Sequence, residues 1–387
     1  MFANISRRKV KIMNKPLAES SFLSRDYQEN FFLHGEEGFS LKADTSSPGD
    51  SRLDNRKIFR KKYRVTNPSL IVLNDGELIP LPERGKLVVS KSGTVVHSQI
   101  SGEYDRDRHE NISSLSYIPS LKLRRINEPL FDLTSEGSAL YSFWLLEASA
   151  KIKFLEWADG IDKENVSFLV NQVTPFVRDT LDIFGFSRSK VFSRNNSGCR
   201  FSSNKLITVA NPRLDRYTPK WAIEYLRNHF LGQKAHSDWR GTKKKIYISR
   251  QRAASRRVVN YSQLEDFLLN QGFITIYPEE LGLSETVEVI QGAEIVVSPH
   301  GAGLTNILFA SSKAIVIELF GAHYTTQYRL LSRSLGQRYF AFDCTVPESN
   351  RSFDEFSLSD YTTGELNRMD MCVDMERFSR FYLENFY

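Results

Sequence analysis

The 387-residue chain reads as an α/β protein with a parallel sheet in its C-terminal half. Three observations predict this. Beyond residue 243, short apolar runs alternate with amphipathic stretches of about ten residues, the pattern of βαβ units. The stretches are punctuated by helix start and stop residues, such as Asn260 with Gln263 and then Gly272, or Gly292 and Gly336. Composition is ordinary globular, 41% hydrophobic and 25% charged, which excludes a disordered chain, a fibre and a disulfide-stapled scaffold.

The elements follow in order. Residues 1–60 mix polar clusters with isolated aromatics and show no period; Phe31-Phe32-Leu33 is a candidate for docking on the body. Residues 1–64 hold 14 Lys/Arg against 8 Asp/Glu, whereas the remaining 323 hold 38 of each. The pI near 9.0 therefore belongs to this arm, and charge runs of that kind are usually solvated. Residues 65–135 carry short β-like runs, and Asp75-Gly76 between two of them predicts a hairpin. Leu140, Trp144, Leu145, Ala148, Ile152 and Leu155 recur at helical spacing and predict a helix over 138–157. Strands are read at 167–170, 190–192 and 205–209. Helices are read at 174–184 and 218–230, each with Pro in its first turn. The polar stretch 229–243 is read as a linker, giving an arm (1–60), an N-terminal α/β domain (61–235) and a C-terminal one (240–387). In that last domain strands are read at 244–249, 273–277, 294–298, 315–320 and 338–344. Helices start at Asn260 and span 284–291 and 324–335, with another from Leu304 or Thr305.

An open parallel sheet binds ligands at the carboxyl ends of its strands. That rule selects Ser249-Arg250, Ser298 to Thr305, and Glu318 to His323. The richest of these is Ser298-Pro299-His300-Gly301-Ala302-Gly303-Leu304-Thr305-Asn306. Small residues between a strand and a helix let a ligand approach the backbone, and a helix N-terminus suits phosphate. The plain alternative is a tight turn with a satisfied histidine. The run is neither a dinucleotide GxGxxG, since Asn306 stands in the third glycine's place, nor a P-loop. Arg250 at the strand end suits a phosphate because its donor fork is fixed and charged; Arg252 and Arg256 are read as solvated. A carboxylate at Glu318 can accept from a ribose diol, cap a helix or pair with an arginine, and His323 can cap or touch ligand.

Three separated cysteines in no metal-ligand spacing point to a reducing compartment without zinc. No apolar run reaches membrane-spanning length, and the first residues lack the apolar core of a signal peptide.

Tyr247-Ile248-Ser249-Arg250, Arg257, Asn260, Gly272-Phe273, the Ser298-to-Asn306 run and Val316-Ile317-Glu318-Leu319 together resemble glycosyltransferase family 61. Weaker likeness is seen in Tyr141 to Glu147, in Leu181 to Gly185 and in the closing Met371-Cys372-Val373-Asp374. The resemblance implies a GT-B-like architecture, two facing Rossmann-like domains with a cleft between them. It also implies an inverting, metal-independent transfer from a nucleotide sugar, with a UDP-sugar favoured, to a glycan or lipid-linked acceptor in surface polysaccharide synthesis such as capsule. Mapped onto this sequence, Arg250 and Arg257 would hold the donor. His300 with Gly301, Ala302, Gly303, Leu304, Thr305 and Asn306 would cradle its diphosphate, and Glu318 would reach the ribose. His300 would also help to carry leaving-group charge. The family's His-Trp pair is Phe143-Trp144 here, so Glu147, one turn on, is the replacement candidate for the catalytic base, the plain alternative being a solvent-facing helix residue. His97, Glu103, Asp105 and His109 are further candidates, and a glutamine the family tends to place near Thr286 is missing. No Asp-x-Asp stands at a strand end to hold a divalent ion. A cytoplasmic enzyme, peripheral at the inner membrane and free of nucleic acid, is the expectation. The alternatives are a catalytically inactive nucleotide-sugar-binding protein of the same fold and an adaptor acting through the basic arm.

Overall fold

The computed structural model describes the strands Lys11–Ile12, Tyr27–Phe32, Phe39–Ser40 and Lys62–Tyr63, and then residues 69–81, 85–91, 94–95, 121–158, 160–195, 198–213, 216–232, 244–345 and 362–386. His97, Glu103, Asp105, His109 and most of the 229–243 stretch lie outside the described residues. The chain forms two units, one of residues 1–37 and 65–215, the other of residues 38–64 and 216–387.

The first unit is built on a ten-stranded mixed sheet. Its labelled strands are β1 (Ser69–Pro80), β2 (Lys86–Val89), β3 (Leu130–Asp132), β4 (Ser167–Val170), β5 (Val191–Ser193) and β6 (Cys199–Val209). β6, β3, β4 and β5 run parallel in that order, while β1 pairs antiparallel with both β6 and β2. Between β4 and β5 lies α1 (Pro175–Ile183), with its proline in the first turn where the missing N–H is harmless. Ile71, Leu73, Leu78, Leu130, Leu169 and Phe201 pack within the core.

Three expectations are corrected in this unit. Asp75-Gly76 does not reverse the chain: β1 runs through it as one twelve-residue strand. Asp75 takes the left-handed backbone (φ 54°) without closing a two-residue turn. The strand changes neighbours there, pairing with Tyr27–Phe32 before it and with β2 after it. A Cβ on Gly76 would lie 2.7 Å from Leu73 Cβ, so this site needs glycine for close packing. Residues 27–32, which show no period, nonetheless add a strand to β1, with Phe31 opposite Leu70 and Phe32 opposite Ser69. The helix expected over 138–157 breaks into an α turn (Tyr141–Phe143), a π-helical turn (Trp144–Ala148) and a 3-10 run (Ser149–Trp157). Its polar Glu147 and Lys151 are buried along with the apolar stripe. No solvent face holds this segment to a single helical period, and a π turn is a frequent mark of a functional region.

The second unit is a five-stranded parallel sheet flanked by helices. Its strands are β7 (Lys244–Ile248), β8 (Phe273–Ile276), β9 (Ala293–Pro299), β10 (Ile315–Phe320) and β11 (Arg338–Asp343). Their spatial order is β8-β7-β9-β10-β11, all parallel. Numbered within this sheet the order is 2-1-3-4-5, the doubly wound, Rossmann-like arrangement with a switch point between its first and third strands. The helices are α2 (Lys220–Leu231), α3 (Tyr261–Asn270), α4 (Leu283–Gln291), α5 (Gln327–Leu335) and α6 (Met375–Phe386). Gly336 ends α5 in the left-handed conformation (φ 74°), a glycine stop legible from sequence.

Asn260 does not cap α3 through a capping box. Its side chain accepts from Val373 N (2.9 Å) and donates to Val373 O (2.7 Å), sewing the closing segment onto the sheet. Beside it Met371 bridges Val258 and Cys372 bridges Thr345. α6 then covers one face, with Phe378 edge-on to Phe267 and Phe342 at 5.9 and 5.1 Å.

Candidate functional site

β7 and β9 diverge from the switch point, and Ser298 Oγ ties their carboxyl ends by donating to Ile248 O (3.0 Å). The polypeptide beyond β9 is pinned to β10 by His300 N–H donating to Leu319 O (2.8 Å). It then enters a 3-10 helix, Ala302–Phe309, where a helix from Leu304 or Thr305 was expected. Leu304 N–H closes the first turn onto Gly301 O (3.0 Å), and Asn306 Nδ2 donates to Gly303 O (2.9 Å). The leading amides of Ala302 and Gly303 precede the first intrahelical bond, which is where a helix end receives an anion.

Two close approaches explain the glycines. A Cβ on Gly301 would stand 2.1 Å from Arg250 Nη1, and one on Gly303 would stand 3.0 Å from Ile248 Cγ2. The backbone at Gly301 is extended (φ 165°), so what excludes a side chain there is the guanidinium. Arg250 is thereby held against the loop, with Nη2 donating to Ser255 O (3.0 Å). Its buried Nε has no hydrogen-bond partner. Burial, then Arg256, pulls the Arg250 guanidinium down to about 10; it remains charged at neutral pH.

Arg256 departs from its expected solvated position. Its buried Nε has no hydrogen-bond partner, and burial lowers its pKa. Its charge acts on Tyr328, Glu318 and His300. Arg257 is the residue that points elsewhere. Its backbone N–H, Nε and Nη2 all donate to Asp370 at 2.8–3.1 Å, so it clamps the closing segment, where a contact to a sugar donor had been expected. The sequence gives no hint of Arg216, yet its charge bears on both His300 and His323. Arg216 and Arg256 are two of the three non-glycine residues with positive φ among those described (67° and 57°). Such backbone strain tends to be kept at functional sites.

His300 is 5% exposed. Its ring stacks on Phe320 (5.4 Å, 14°) and tilts against His323 and Tyr328. Nδ1 lies 2.5 Å from Glu318 Oε1, and Tyr339 Oη donates to Glu318 Oε2 (2.6 Å). Burial, then Arg256, Arg250 and Arg216, drives the imidazole well below its ordinary range. Burial holds the Glu318 carboxyl up at about 8, against the opposing pull of Tyr339 and Arg256. His323 falls to about 3 through burial, His300, Arg256 and Arg216. Glu318 is fully buried with both oxygens engaged, so it stands behind His300, where a ribose contact had been expected. Leu304, Thr305 and Asn306 are likewise buried. Thr305 Oγ1 faces Tyr328 Oη at 3.4 Å, and these three build the loop from within.

In the first unit, Glu147 is 4% exposed, not solvent-facing. It belongs to a buried charge cluster at the carboxyl edge of β3. Lys86 pairs with Asp132 and donates to Thr134 O (2.9 Å), as does Lys151 (3.1 Å). Asp132 also accepts from Thr134 N, Thr134 Oγ1 and Thr208 Oγ1. Burial alone would raise the Asp132 carboxyl, but Lys86 and Lys151 hold it below the usual range. Burial and Lys86 bring Lys151 to about 8. Phe143, in place of the expected histidine, packs on Gly137 and under Arg213 (5.4 Å).

A strand-loop-helix at a switch point, rimmed by arginines and a buried histidine, has the chemistry that suits an anionic ligand. A family profile described as Glycosyltransferase 61 matches residues 87–317, more than half of the chain. The chain belongs to that family. It is similar to the protein O-linked-mannose beta-1,4-N-acetylglucosaminyltransferase 2 of Xenopus tropicalis, 24% identical over 240 residues, covering 57% of this chain and 40% of that protein. The Xenopus laevis protein of the same name is 24% identical over 226 residues, covering 54% of this chain and 38% of that one. An EGF domain-specific O-linked N-acetylglucosamine transferase of Gallus gallus is 28% identical over 129 residues, covering 32% and 23%. The chain thus matches well under half the length of these relatives. For this family 61 chain, the profile takes in Arg250, Arg256 and the His300 loop and stops one residue short of Glu318.

Proposed function

We propose that this chain is an inverting glycosyltransferase that binds a nucleotide sugar at the carboxyl edge of its second unit. It transfers the sugar, without a catalytic metal, to a glycan or lipid-linked acceptor. The observation that carries the reading is the convergence of Arg250, Arg256 and Arg216 on His300 at the switch point. Arg250 and Arg256 each keep a buried Nε without a hydrogen-bond partner. Cations held in that way are poised for a dianion.

Chemically, an acceptor hydroxyl attacks the anomeric carbon and gives its proton to a general base, for which Glu147 is the candidate, while the bond to the nucleoside diphosphate breaks and the diphosphate leaves with its electron pair. The negative charge that develops on the leaving phosphate is met by the two guanidinium groups, the leading amides at Ala302 and Gly303, and the His300 imidazole. Donors fixed in advance in a water-poor site are the most effective form of such stabilisation. The first unit would hold the acceptor. The setting proposed is the inner face of a membrane, in building a surface polysaccharide. The relatives' names favour N-acetylglucosamine as the first sugar to try, carried as its UDP derivative.

The test is a panel of UDP-, GDP- and CMP-sugars incubated with the full chain, with and without EDTA. Product linkage is read by proton NMR. Transfer with inverted anomeric configuration, unaffected by EDTA and lost in Arg250→Ala, is expected. Nucleotide binding with no turnover for any acceptor would favour the inactive-binder alternative, for which Phe143 in the histidine's place is the motive. Binding of none of the nucleotides would contradict both.

A further inference from the structure

The same site holds a proton-bearing chain whose members lie partly outside the family match. His300 Nδ1 is engaged by Glu318 Oε1 at 2.5 Å, and Glu318 Oε2 receives the Tyr339 hydroxyl at 2.6 Å. Glu318 is fully buried on β10, and Tyr339 lies on the adjacent β11. With Nδ1 occupied, Nε2 is the one ring nitrogen left for a ligand. Whether it donates or accepts depends on where the shared proton sits.

We propose that Tyr339 and Glu318 are positioning residues that set the tautomer of His300, so that Nε2 carries a hydrogen for a phosphate oxygen of the donor nucleotide. In the protonated form the Glu318 O–H donates to Nδ1, and Nε2–H points outward as a donor. Removing one proton from the pair takes the hydrogen from Nε2. The Glu318 proton passes to Nδ1, which then donates to the carboxylate, and Nε2 is left as a lone pair facing the phosphate. Tyr339 donates to Oε2 in both forms. The surroundings favour the neutral pair over an imidazolium-carboxylate pair. Arg250 and Arg256 follow β7, Arg216 precedes α2, His323 and Tyr324 follow β10, and Tyr328 lies on α5. The three arginines oppose a further positive charge on the ring. The switch between forms is placed where Glu318 loses its proton, at about pH 8.

The ligand half of this inference rests on the nucleotide-sugar reading; the tautomer half does not. Selective ¹⁵N-histidine labelling of the full chain, with His300 assigned from a His300→Gln sample, reads the protonated ring nitrogen from about pH 6 to about pH 10. The expected result is Nε2–H at low pH, giving way to Nδ1–H near pH 8. In Tyr339→Phe the bond that holds Glu318 down is gone, so the midpoint moves to higher pH. In Glu318→Gln the amide donates to Nδ1 at every pH, and the switch disappears. UDP affinity by calorimetry should fall roughly tenfold above the switch in the wild type, the measure of one hydrogen bond to a charged acceptor. It should stay flat in Glu318→Gln. Nδ1–H throughout, an imidazolium, or a midpoint indifferent to Tyr339→Phe would overturn the relay. A tautomer switch as described in a protein that binds no nucleotide would uphold the relay and remove its assigned ligand.

Discussion

Gly301→Ala isolates the geometry at the centre of the site. The added methyl carbon would stand 2.1 Å from Arg250 Nη1, 2.7 Å from Cζ and 3.1 Å from Cδ. Alanine accepts the extended backbone at this position, so the loop has no reason to unfold; the guanidinium has to leave. It loses the bond to Ser255 O, about 1 kcal/mol for a neutral acceptor. It also loses its approach to the donor phosphate, about 1.5–3 kcal/mol for a charge-assisted bond. UDP affinity should therefore fall roughly ten- to hundredfold, while the melting temperature drops only by the smaller amount. Calorimetry with UDP beside thermal melts of Gly301→Ala, Arg250→Ala and the double variant separates the two effects. Because both single changes displace the same group, the double variant should bind no more weakly than Arg250→Ala. UDP affinity within about twofold of wild type in Gly301→Ala would refute the reasoning, as would additive losses in the double variant.

Arg256→Ala should weaken UDP binding at least tenfold without lowering the melting temperature, since a buried cation with an unpartnered Nε is removed. Arg257→Ala, by contrast, should leave UDP affinity unchanged and loosen the closing segment, seen as faster amide exchange at Met371 and Val373. In the first unit, Asp132→Ala strands Lys86 as a buried charge and should cost about 3–5 kcal/mol by denaturant titration. Lys151 is held down at about 8 when folded against 10.5 when free. From about pH 8 to 10.5 the unfolded chain therefore binds the extra proton, and stability should rise through that window by at most about 3 kcal/mol. Lys151→Met should flatten that rise in melts recorded across the range. Glu147→Gln should lower stability and spare UDP affinity; loss of transfer with an unchanged melt would instead make Glu147 the base.

The sheet of the second unit was legible because its strands are short runs rich in apolar residues, most of them next to a glycine or proline, and the carboxyl-edge rule alone selects Arg250 and His300. What the sequence misplaced has a physical cause in each case. Arg256 and Arg257 are adjacent, and no period tells which enters the site. The left-handed backbone at Arg256 (φ 57°) and the carboxylate of Asp370, more than a hundred residues on, decide it. Tyr339 sits in an apolar strand where a phenol reads as core; a polar tip facing β10's Glu318 is the signal that was there to use. For Glu318 the strand-end position leaves ribose contact, capping and ion pairing open, and the resemblance implies the ribose; two neighbours occupy both its oxygens instead. Asp75-Gly76 carries turn residues, but local conformation alone does not reverse a strand whose partners continue on either side. Glu147 shows the same limit: a charged helix residue reads as solvent-facing, and only the cluster around Asp132 explains its burial.

The account stands on the second unit gripping a diphosphate. A crystal structure of the full chain soaked with UDP tests this most directly. The expected map shows the diphosphate at the Gly301 loop, with oxygens within hydrogen-bonding reach of the Arg250 and Arg256 guanidinium groups and of His300 Nε2. Density for UDP at any other place, or a crevice closed by the chain's own side chains at saturating nucleotide, would contradict it.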